Sequence, residues 1–298
     1  MDKLDLSAIR ILRAIVEAGS FTGAADRLGL APPLVSKHIA RLERQLGARL
    51  IHRTSRRMSL TEAGQQFHAQ CRQALDILDA AVGSLGQASA MPRGELKISA
   101  PVWCATPRFA ALLADFRRQY PQVRLDLHLD NRLVDLVAEG FDIALRLTAE
   151  APPQLVARPL CAVPFLLVAT PDFLARWQAG ASAAGGTALP MVAPNYVQLD
   201  RLPLPVPATG PAGRWDPVMK CSDTTLMHQA VLAHIGAALL PDWVVGEDLA
   251  TGRLVRLQRD GPPEFAGKLH GVVASQRQMP PKLRCFLDFL QQRLGPAG

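Results

Sequence analysis

The chain has 298 residues, 49% of them hydrophobic and 20% charged, which favours about two folded domains and argues against wholesale disorder. Its net charge of +7 is concentrated at the start: residues 1–61 hold 11 Lys and Arg against 5 Asp and Glu, whereas residues 94–298 hold 20 against 18. This asymmetry predicts a basic head that binds nucleic acid and a near-neutral body.

Several classes of protein are disfavoured by what the sequence lacks. The five cysteines are dispersed without a Cys-x-x-Cys pair, and the seven histidines show no ligand spacing, so we expect no disulfide framework, no metal site and no cofactor. The charged opening, Met1 to Asp5, is not a signal peptide, and no run of 18 apolar residues follows. We therefore expect a cytoplasmic protein that neither spans nor binds a membrane.

The first 50 residues read as three short helices. Apolar residues at three- and four-residue spacing predict a helix over 5–18, which Gly19 ends. Ser20 is a favourable N-cap for a second helix over 21–28, and Pro32 and Pro33 suit the first turn of a third. The third helix would run to about residue 46 and turn five apolar residues inward: Leu34, Val35, Ile39, Leu42 and Leu46.

A short β-hairpin, or wing, is predicted over residues 50–61, and a long helix follows from Thr61. The long helix carries an apolar seam at heptad spacing, suited to pairing with a second copy. The alternative is a helix packed on its own domain; we favour pairing because the helix is long and no compact element follows at once. The seam consists of Phe67, Cys71, Ala74, Leu78, Ala81 and Leu85.

Beyond a hinge predicted from Gly83 to Gly94, strands and helices alternate. This alternation predicts a mostly parallel sheet with helices on its faces, which binds ligands at the carboxyl ends of its strands. The predicted strands are 96–100, 124–129 and 142–147, and the predicted helices are 107–119 and 133–139.

Residues 19–49 carry the most specific motif. Small residues at Ala24 and Ala25 allow two helices to cross closely, the turn at Gly29 sets their angle, and the third helix offers polar side chains near its start. The segment resembles the DNA-binding domain of the LysR-type transcriptional regulators. The resemblance continues through Leu42-Glu43, Leu46-Gly47, Arg53 to Arg56 and Leu60 to Gly64, and more weakly through Tyr120-Pro121, Gly140, Asp142 to Arg146 and Gly236 to Pro241.

The resemblance implies a fold and partners. The fold would be an N-terminal winged helix-turn-helix over 1–61, a dimerisation helix and hinge over 62–91, and an α/β effector domain of two lobes over 92–298, similar to periplasmic binding proteins. The first lobe would take about 92–163 and 266–298, and the second about 164–265. The implied partners are double-stranded promoter DNA, a small-molecule effector and further copies in a homodimer or homotetramer, with RNA polymerase as another candidate.

The resemblance also marks DNA-contacting positions. Pro33, Ser36 and Lys37 stand where the family contacts bases and phosphates, and Arg56 where the wing reaches a minor groove. One departure matters: Pro32 replaces a residue that is often polar and base-reading, so readout would shift to Lys37 or His38, or to DNA shape. The full set of expected DNA contacts is Ser20, Thr22, Pro33, Ser36, Lys37, His38, Arg53 and Arg56.

Effector contacts are expected from loops that follow strands. The set is Val102, Trp103, Cys104, Arg146, Thr148, Asn195, Ser222, Asp223 and Thr224. Ser222 or Thr224 would cap a helix, whose N-terminus attracts anions. Arg146 would bind an acid group of the ligand or pair with an internal carboxylate. Trp103 stands where the family often has Ser or Thr, and it would either favour an aromatic or apolar effector or simply fill the cleft.

Three further hypotheses are weighed against this one. Cys104 and Cys221 lie near the same cleft and would permit redox sensing, but we expect buried, inert thiols. An enzyme is not expected, because no nucleophile–base set, metal cluster or Gly-rich phosphate motif is visible. A DNA-packaging protein without sequence preference fits poorly with one basic wing on a sensor-sized body. His234 replaces a glycine that is common in the family, and we assign it no role.

Overall fold

A computed structural model describes residues 5–53, 58–85, 91–147, 155–184, 188–196, 215–257, 265–274 and 279–295. Its helices are α1 (Leu6–Ala18), α2 (Phe21–Leu28), α3 (Pro32–Leu46), α4 (Glu62–Leu85), α5 (Pro107–Gln119), α6 (Pro171–Ala184), α7 (Thr224–Leu232), α8 (Asp242–Ala250) and α9 (Pro281–Leu294). A single 3-10 turn covers Val102–Cys104.

The strands are β1 (Ile51–Arg53), β2 (Met58–Leu60), β3 (Gly94–Ala100), β4 (Val123–Leu129), β5 (Ile143–Leu147), β6 (Val156–Ala169), β7 (Leu189–Pro194), β8 (Trp215–Cys221), β9 (Ala238–Pro241), β10 (Val255–Arg256) and β11 (Phe265–Val273).

The head is built from α1, α2 and α3. Gly19, Gly29 and Gly47 end the three helices in left-handed backbone with φ of 67°, 63° and 66°, a conformation that glycine adopts without steric cost. Ser20 caps α2 as expected, its side chain accepting the Gly23 N–H at 3.0 Å. The expectation that Leu34 faces inward is wrong: it is 40% exposed, whereas Val35 is fully buried.

The wing is an antiparallel pair of β1 and β2, tied to the head by a buried carboxylate. Glu43 of α3 accepts the backbone N–H groups of Leu50 and Ile51 at 2.9 and 3.2 Å. Next to it α4 passes very close to the chain, since a Cβ at Gly64 would lie 2.0 Å from the Leu50 carbonyl oxygen. Only glycine fits at that position, which explains why the turn into α4 carries one.

One face of α4 is buried within its own chain. Ala69, Arg72 and Leu75 are buried, whereas Leu78 on the predicted seam is 42% exposed. Of the other seam residues, Cys71 is half-buried, Ala74 is exposed and Phe67 packs against the core of the head. The Ala81 and Leu85 side chains, and residues 86–90 of the predicted hinge, lie outside what the structure describes. Packing of the helix on its own chain is thus confirmed for one face, whereas pairing through the seam stays a prediction.

The main sheet has the strand order β10-β6-β11-β5-β3-β4, with β9 also paired to β6. It is mixed, and the expectation of a mostly parallel sheet is wrong: β3 is parallel to β4 and β5, but β11 is antiparallel to both β5 and β6. The reason is that β6 and β11 run back and forth through the body and join two groups of strands. β7 and β8 form a separate parallel pair.

Two lobes follow from this arrangement. The first lobe contains β3, β4 and β5 with α5 and α9, around a core that includes Phe116 and Phe286. The second contains β7 to β10 with α6 to α8, around Val192, Met227 and Leu240 on one side of its strands. The helix expected over 133–139 is instead a short turn: the Asp135 side chain caps its start by accepting the Val137 and Ala138 N–H groups, and Gly140, with φ +69°, ends it.

Candidate DNA interface and effector cleft

The head presents polar side chains from the starts of α2 and α3. Ser20, Thr22, Pro33 and Lys37 are exposed, and Ser36 is half-buried. Pro32 and Pro33 occupy the first two positions of α3, and the N-cap Ala31 makes no side-chain capping bond. Because proline has no N–H, the start of α3 offers a phosphate fewer backbone donors than usual. Lys37 is an exposed cation on the same helix.

His38 is half-buried and close to an acidic group. Its Nδ1 lies 3.6 Å from Asp5 Oδ2, and Asp5 also caps α1 through the Ser7 N–H. An anionic neighbour lowers the positive potential that His38 offers to DNA, so Lys37 is the stronger candidate for a phosphate contact.

The wing residues are described only in part. The backbone of Arg53 pairs with Met58 in the hairpin, while its side chain is outside the described atoms. Residues 54–57, which include Arg56, are also outside the described residues. The minor-groove role of Arg56 stays a prediction.

The two lobes meet at Asn131, which sequence reasoning missed. Its side-chain oxygen accepts the Val102 N–H at 3.1 Å, and its side-chain nitrogen donates to the Ser222 carbonyl at 3.0 Å. A single amide thus joins the loop after β3 to the loop after β8. The signal available in the sequence was an Asn directly after a strand that ends at this edge of the sheet.

Arg146 is a buried cation held by neutral groups. It is 9% exposed and donates to the Leu145 carbonyl at 2.7 Å, to Ser99 Oγ at 2.7 Å and to the Arg132 carbonyl at 2.9 Å. Its Nε makes no hydrogen bond, and no carboxylate among the described residues lies within ion-pair distance. Burial lowers the pKa of this guanidinium, and the Asp130 carboxylate, which lies near without forming an ion pair, partly opposes that effect. A buried cation without a direct ion pair is costly, so the site favours an anion.

The Trp103 ring is mostly buried in packing between the lobes. It is 5% exposed, and its ring packs edge-to-face against Trp243 of α8 at a centroid distance of 5.4 Å. With the start of α5 and with α7 and α8 it lines a cavity of about 340 Å³ whose lining does not include Arg146. Of the two expectations for Trp103, filling the space between the lobes is the one that its packing supports.

The start of α7 is capped differently from expectation. Asp223, rather than Ser222 or Thr224, is the N-cap, with its carboxylate accepting the Leu226 N–H at 2.9 Å. Ser222 is exposed and Thr224 is buried. Because Asp223 already supplies a negative charge, this helix end attracts a second anion less strongly than a hydroxyl-capped one.

The remaining expected contacts are placed as follows. Asn195 is exposed and its N–H donates to the Cys221 carbonyl at 3.1 Å, whereas Thr148 lies outside the described residues. Cys104 is buried, and burial raises the pKa of its thiol, which argues against a reactive thiolate. The Cys221 sulfur accepts the Asp223 N–H at 3.3 Å.

The described ranges also bear on metal binding and on membrane spanning. Within them, no three His, Cys, Asp or Glu side chains come together as a metal site would require. No described helix is both long enough and apolar enough to cross a bilayer.

Comparison with known proteins covers almost the whole chain. Residues 6–65 match the model of the "bacterial regulatory helix-turn-helix protein, lysR family", and residues 89–295 match that of the "LysR substrate binding domain". An HTH-type transcriptional regulator of Xanthomonas campestris is 34% identical over 97% of this chain and 86% of its own length. The regulator PtxR of Pseudomonas aeruginosa is 30% identical over 99% and 95%.

Solved structures agree. The structure of CrgA, a LysR-type transcriptional regulator from Neisseria meningitidis, is similar with a TM-score of 0.57 and 29% identity, covering 98% of this chain and all of that one.

Proposed function

This chain belongs to the LysR family of DNA-binding transcriptional regulators, and on that basis we propose that it reads promoter DNA with α3 and senses an anionic small molecule between its lobes. It is a regulator with an effector-binding domain and not an enzyme. What remains to be assigned is which side chains read DNA and which chemical group the effector carries.

The DNA-reading part of the proposal is supported by the surface of the head. Lys37 and Pro33 are exposed on one end of α3, next to Ser20 and Thr22 at the start of α2. Lys37 contacts phosphate, Ser36 contacts a base edge and Arg56 enters the neighbouring minor groove. His38 contributes less, because Asp5 lies beside it.

Binding to duplex DNA selected from a random-sequence library tests this part. Lys37→Ala weakens binding to all selected sequences and lowers the slope of log affinity against log salt by about one. Ser36→Ala instead changes the preferred base at one position. Arg118→Ala removes the same charge from an exposed site on the first lobe and serves as the control. If Lys37→Ala and Arg118→Ala behave alike, Lys37 is not a DNA contact.

The observation that carries the effector part is the burial of Arg146 without a direct ion pair among the described residues. Its guanidinium is held in place by Ser99 and by two carbonyls, so its position is fixed before a ligand arrives. A planar, oriented guanidinium suits a carboxylate or phenolate. The acid group is therefore retained in the proposal, while the aromatic face of Trp103 is not, since that ring is packed against Trp243.

Thermal unfolding in the presence of benzoate, with benzylamine as the oppositely charged probe, tests the effector part. Benzoate raises the melting temperature of the wild type in a concentration-dependent way, and benzylamine does not. Arg146→Met abolishes the shift, whereas Arg132→Met, which removes an exposed neighbouring cation, retains it. An equal response of wild type and Arg146→Met places the anion elsewhere.

The remaining parts of the proposal concern organisation. We propose the domain bounds 1–61, 62–91 and 92–298, pairing of two copies along the exposed face of α4, and assembly of a dimer or tetramer on DNA in the cytoplasm. RNA polymerase is a candidate partner at the promoter.

A further inference from the structure

Three parts of the chain meet along α4: α1 of the head, α4 itself and the first lobe. Their contact contains six charged side chains of alternating sign, drawn from residues far apart in sequence. We call this set the charge chain; it consists of Glu17, Arg13, Asp76, Lys282, Asp142 and Arg72.

At the lobe end, Arg72 of α4 is buried against the first lobe. Its guanidinium donates to Asp142 Oδ2 at 3.0 Å and to the Glu95 carbonyl at 3.2 Å, and it also bonds the Gly140 carbonyl. Asp142 accepts the Lys97 N–H at 2.8 Å as well. The end of the charge chain is thereby fixed to the backbone of the lobe at several points.

At the centre, Lys282 of α9 lies between two carboxylates. Its Nζ is 2.7 Å from Asp76 Oδ2 on α4 and 3.4 Å from Asp142 Oδ2 on the lobe. The side chain is only 3% exposed, so the ammonium depends on these partners and on the Glu95 carbonyl for its stabilisation.

At the head end, Asp76 accepts from Arg13 of α1 at 3.2 Å, and Arg13 in turn donates to Glu17 at 2.9 Å. Glu17 also lies 3.8 Å from Arg124 on β4 of the first lobe. The head therefore contacts the first lobe both through α4 and directly.

Close packing accompanies the charges. Gly140 has φ +69°, and a Cβ there would lie 2.6 Å from the Ala69 Cβ on α4. A purely apolar contact between α4 and the first lobe would allow several relative positions. The buried ion pairs, together with a close contact that admits only glycine, fix one of them. Separation would expose the charges to water, which hydrates them.

We propose that the charge chain is a latch that holds the head and α4 in one orientation on the first lobe of their own subunit, with Lys282 as the positioning residue. Movement of the first lobe is then passed to α3 as a rigid-body movement. The latch stands on the described contacts, and only its effect on DNA reading rests on the proposed function.

Hydrogen exchange of the full chain tests the latch without DNA. Lys282→Met removes the cation between Asp76 and Asp142, which then keep Arg13 and Arg72 as their respective partners, and amides of α4 between residues 65 and 76 should exchange at least about tenfold faster. Lys282→Arg keeps the charge and should restore slow exchange. Lys220→Met makes the same substitution at an exposed site on β8 and should change nothing in α4.

A second variant keeps the test decisive if Lys282→Met does not fold. Arg13→Met removes the head-side partner of Asp76 and, with it, the Arg13–Glu17 pair, and the Arg13 side chain is less deeply buried than that of Lys282. It should speed exchange in α1 by about tenfold while α4 stays protected on the lobe. Unchanged exchange in both α1 and α4 would overturn the latch.

Operator spacing tests the consequence for DNA. Inserting 5 base pairs between the half-sites of a selected operator turns one half-site to the opposite face of the duplex, and wild-type affinity should fall by at least about 30-fold. Lys282→Met, with a loosened head, should lose less than about threefold. If wild type and Lys282→Met lose the same affinity for the spaced operator, and hydrogen exchange is unchanged in the variant, the latch is rejected and the proposed function is unaffected. Failure of the wild type to bind any DNA rejects the proposed function, and the exchange result still decides the latch.

Discussion

Buried charged residues show what single side chains contribute. Glu43, Lys282 and Arg146 are all buried, but their partners differ: Glu43 accepts two backbone N–H groups, Lys282 lies between two carboxylates, and Arg146 has only neutral acceptors among the described residues. The first two arrangements are complete within the chain. The third is electrostatically incomplete, which is why Arg146 is the residue most suited to a ligand.

His68 is a half-buried histidine on α4 whose pKa the fold lowers. Burial and, secondarily, the nearby Arg72 guanidinium lower its pKa from 6.5 to about 4, and its Nε2 has no hydrogen-bond partner among the described atoms. Arg13 and Lys97 lower the pKa further, while Glu17 raises it. Protonating His68 would add a cation to a region already rich in them.

This gives a pH dependence with a definite sign. Between pH 6.5 and about 4, His68 is protonated in the unfolded chain but not in the folded chain. The contribution of neutral His68 to the free energy of unfolding is therefore fully present above pH 6.5 and is lost as the pH falls towards 4. Urea unfolding should show that the free energy of unfolding falls between pH 7 and 5 by on the order of 1–2 kcal/mol less in His68→Gln than in wild type. His52→Gln, at an exposed wing position, should match wild type. Parallel curves for wild type and His68→Gln would contradict the assignment.

His234 shows a residue-scale feature that the sequence hinted at. It stands where a glycine was expected, and its φ is +63°, a left-handed conformation that glycine adopts more easily. Its Nδ1 lies 2.6 Å from Thr170 Oγ1, which also accepts the Phe173 N–H at the start of α6. A side-chain hydrogen bond thus accompanies the strained backbone.

At the scale of elements, local signals located helix ends well. Ser20, Gly19 and Gly29 act through the residues next to them in sequence, so their roles in ending and starting helices could be predicted. The segment 133–139 has an apolar pattern that fits a helix, but Asp135 caps a single turn that ends at Gly140 in left-handed backbone. Periodicity does not register where such a turn ends, because it counts only apolar positions.

The exposed face of α4 carries the prediction at this scale. Leu78 is 42% exposed in the single chain and lies on the heptad seam, about one helical turn beyond the buried Leu75. Leu78→Asp should convert a dimer or tetramer to smaller species in analytical ultracentrifugation, because an unpaired charge buried between two helices is costly. Leu133→Asp changes a leucine that is 88% exposed on the first lobe and should leave the assembly unchanged. An unaltered sedimentation profile for Leu78→Asp would show that α4 does not mediate pairing.

At the scale of the whole molecule, several contacts among the described residues cross between the lobes. Asn131 links Val102 to Ser222, and the Trp103 ring packs on Trp243 of α8. The charge chain connects the first lobe to the head. Opening of the lobes, movement of the first lobe and orientation of α3 are therefore physically linked within one subunit.

Loss of the Asn131 bridge should favour the open arrangement of the lobes. Asn131→Ala leaves the Val102 N–H and the Ser222 carbonyl without this partner, at a cost of about 1 kcal/mol to the closed state. Acrylamide should then quench tryptophan fluorescence more strongly, because Trp103 and Trp243 become more accessible to water. Trp243→Phe separates the fluorescence of the Trp103–Trp243 pair from that of Trp177 and Trp215. Asn195→Ala changes an exposed amide on the second lobe and is the matched control. Identical quenching of wild type and Asn131→Ala would mean that this amide does not hold the lobes together.

The sequence by itself determined the features that depend on neighbouring residues. The three helices of the head, the wing, the start of α4 and the strand–helix alternation all follow from caps, glycines, prolines and periodicity within about a dozen residues. The charge asymmetry indicated the basic head, and the motif density over the first 65 residues indicated the family, which the matches to both of its domain models establish.

Tertiary structure alone decided which distant residues meet. Asn131 and Ser222 are 91 positions apart, Arg72 and Asp142 are 70 apart, and Lys282 reaches Asp142 across 140. It also decided that Trp103 is packed against Trp243, that Asp223 caps α7 and that the sheet is mixed. The physical reason is that hydrogen bonds, ion pairs and packing act over a few ångströms in space, and local pattern does not encode which residues the folded chain brings within that range.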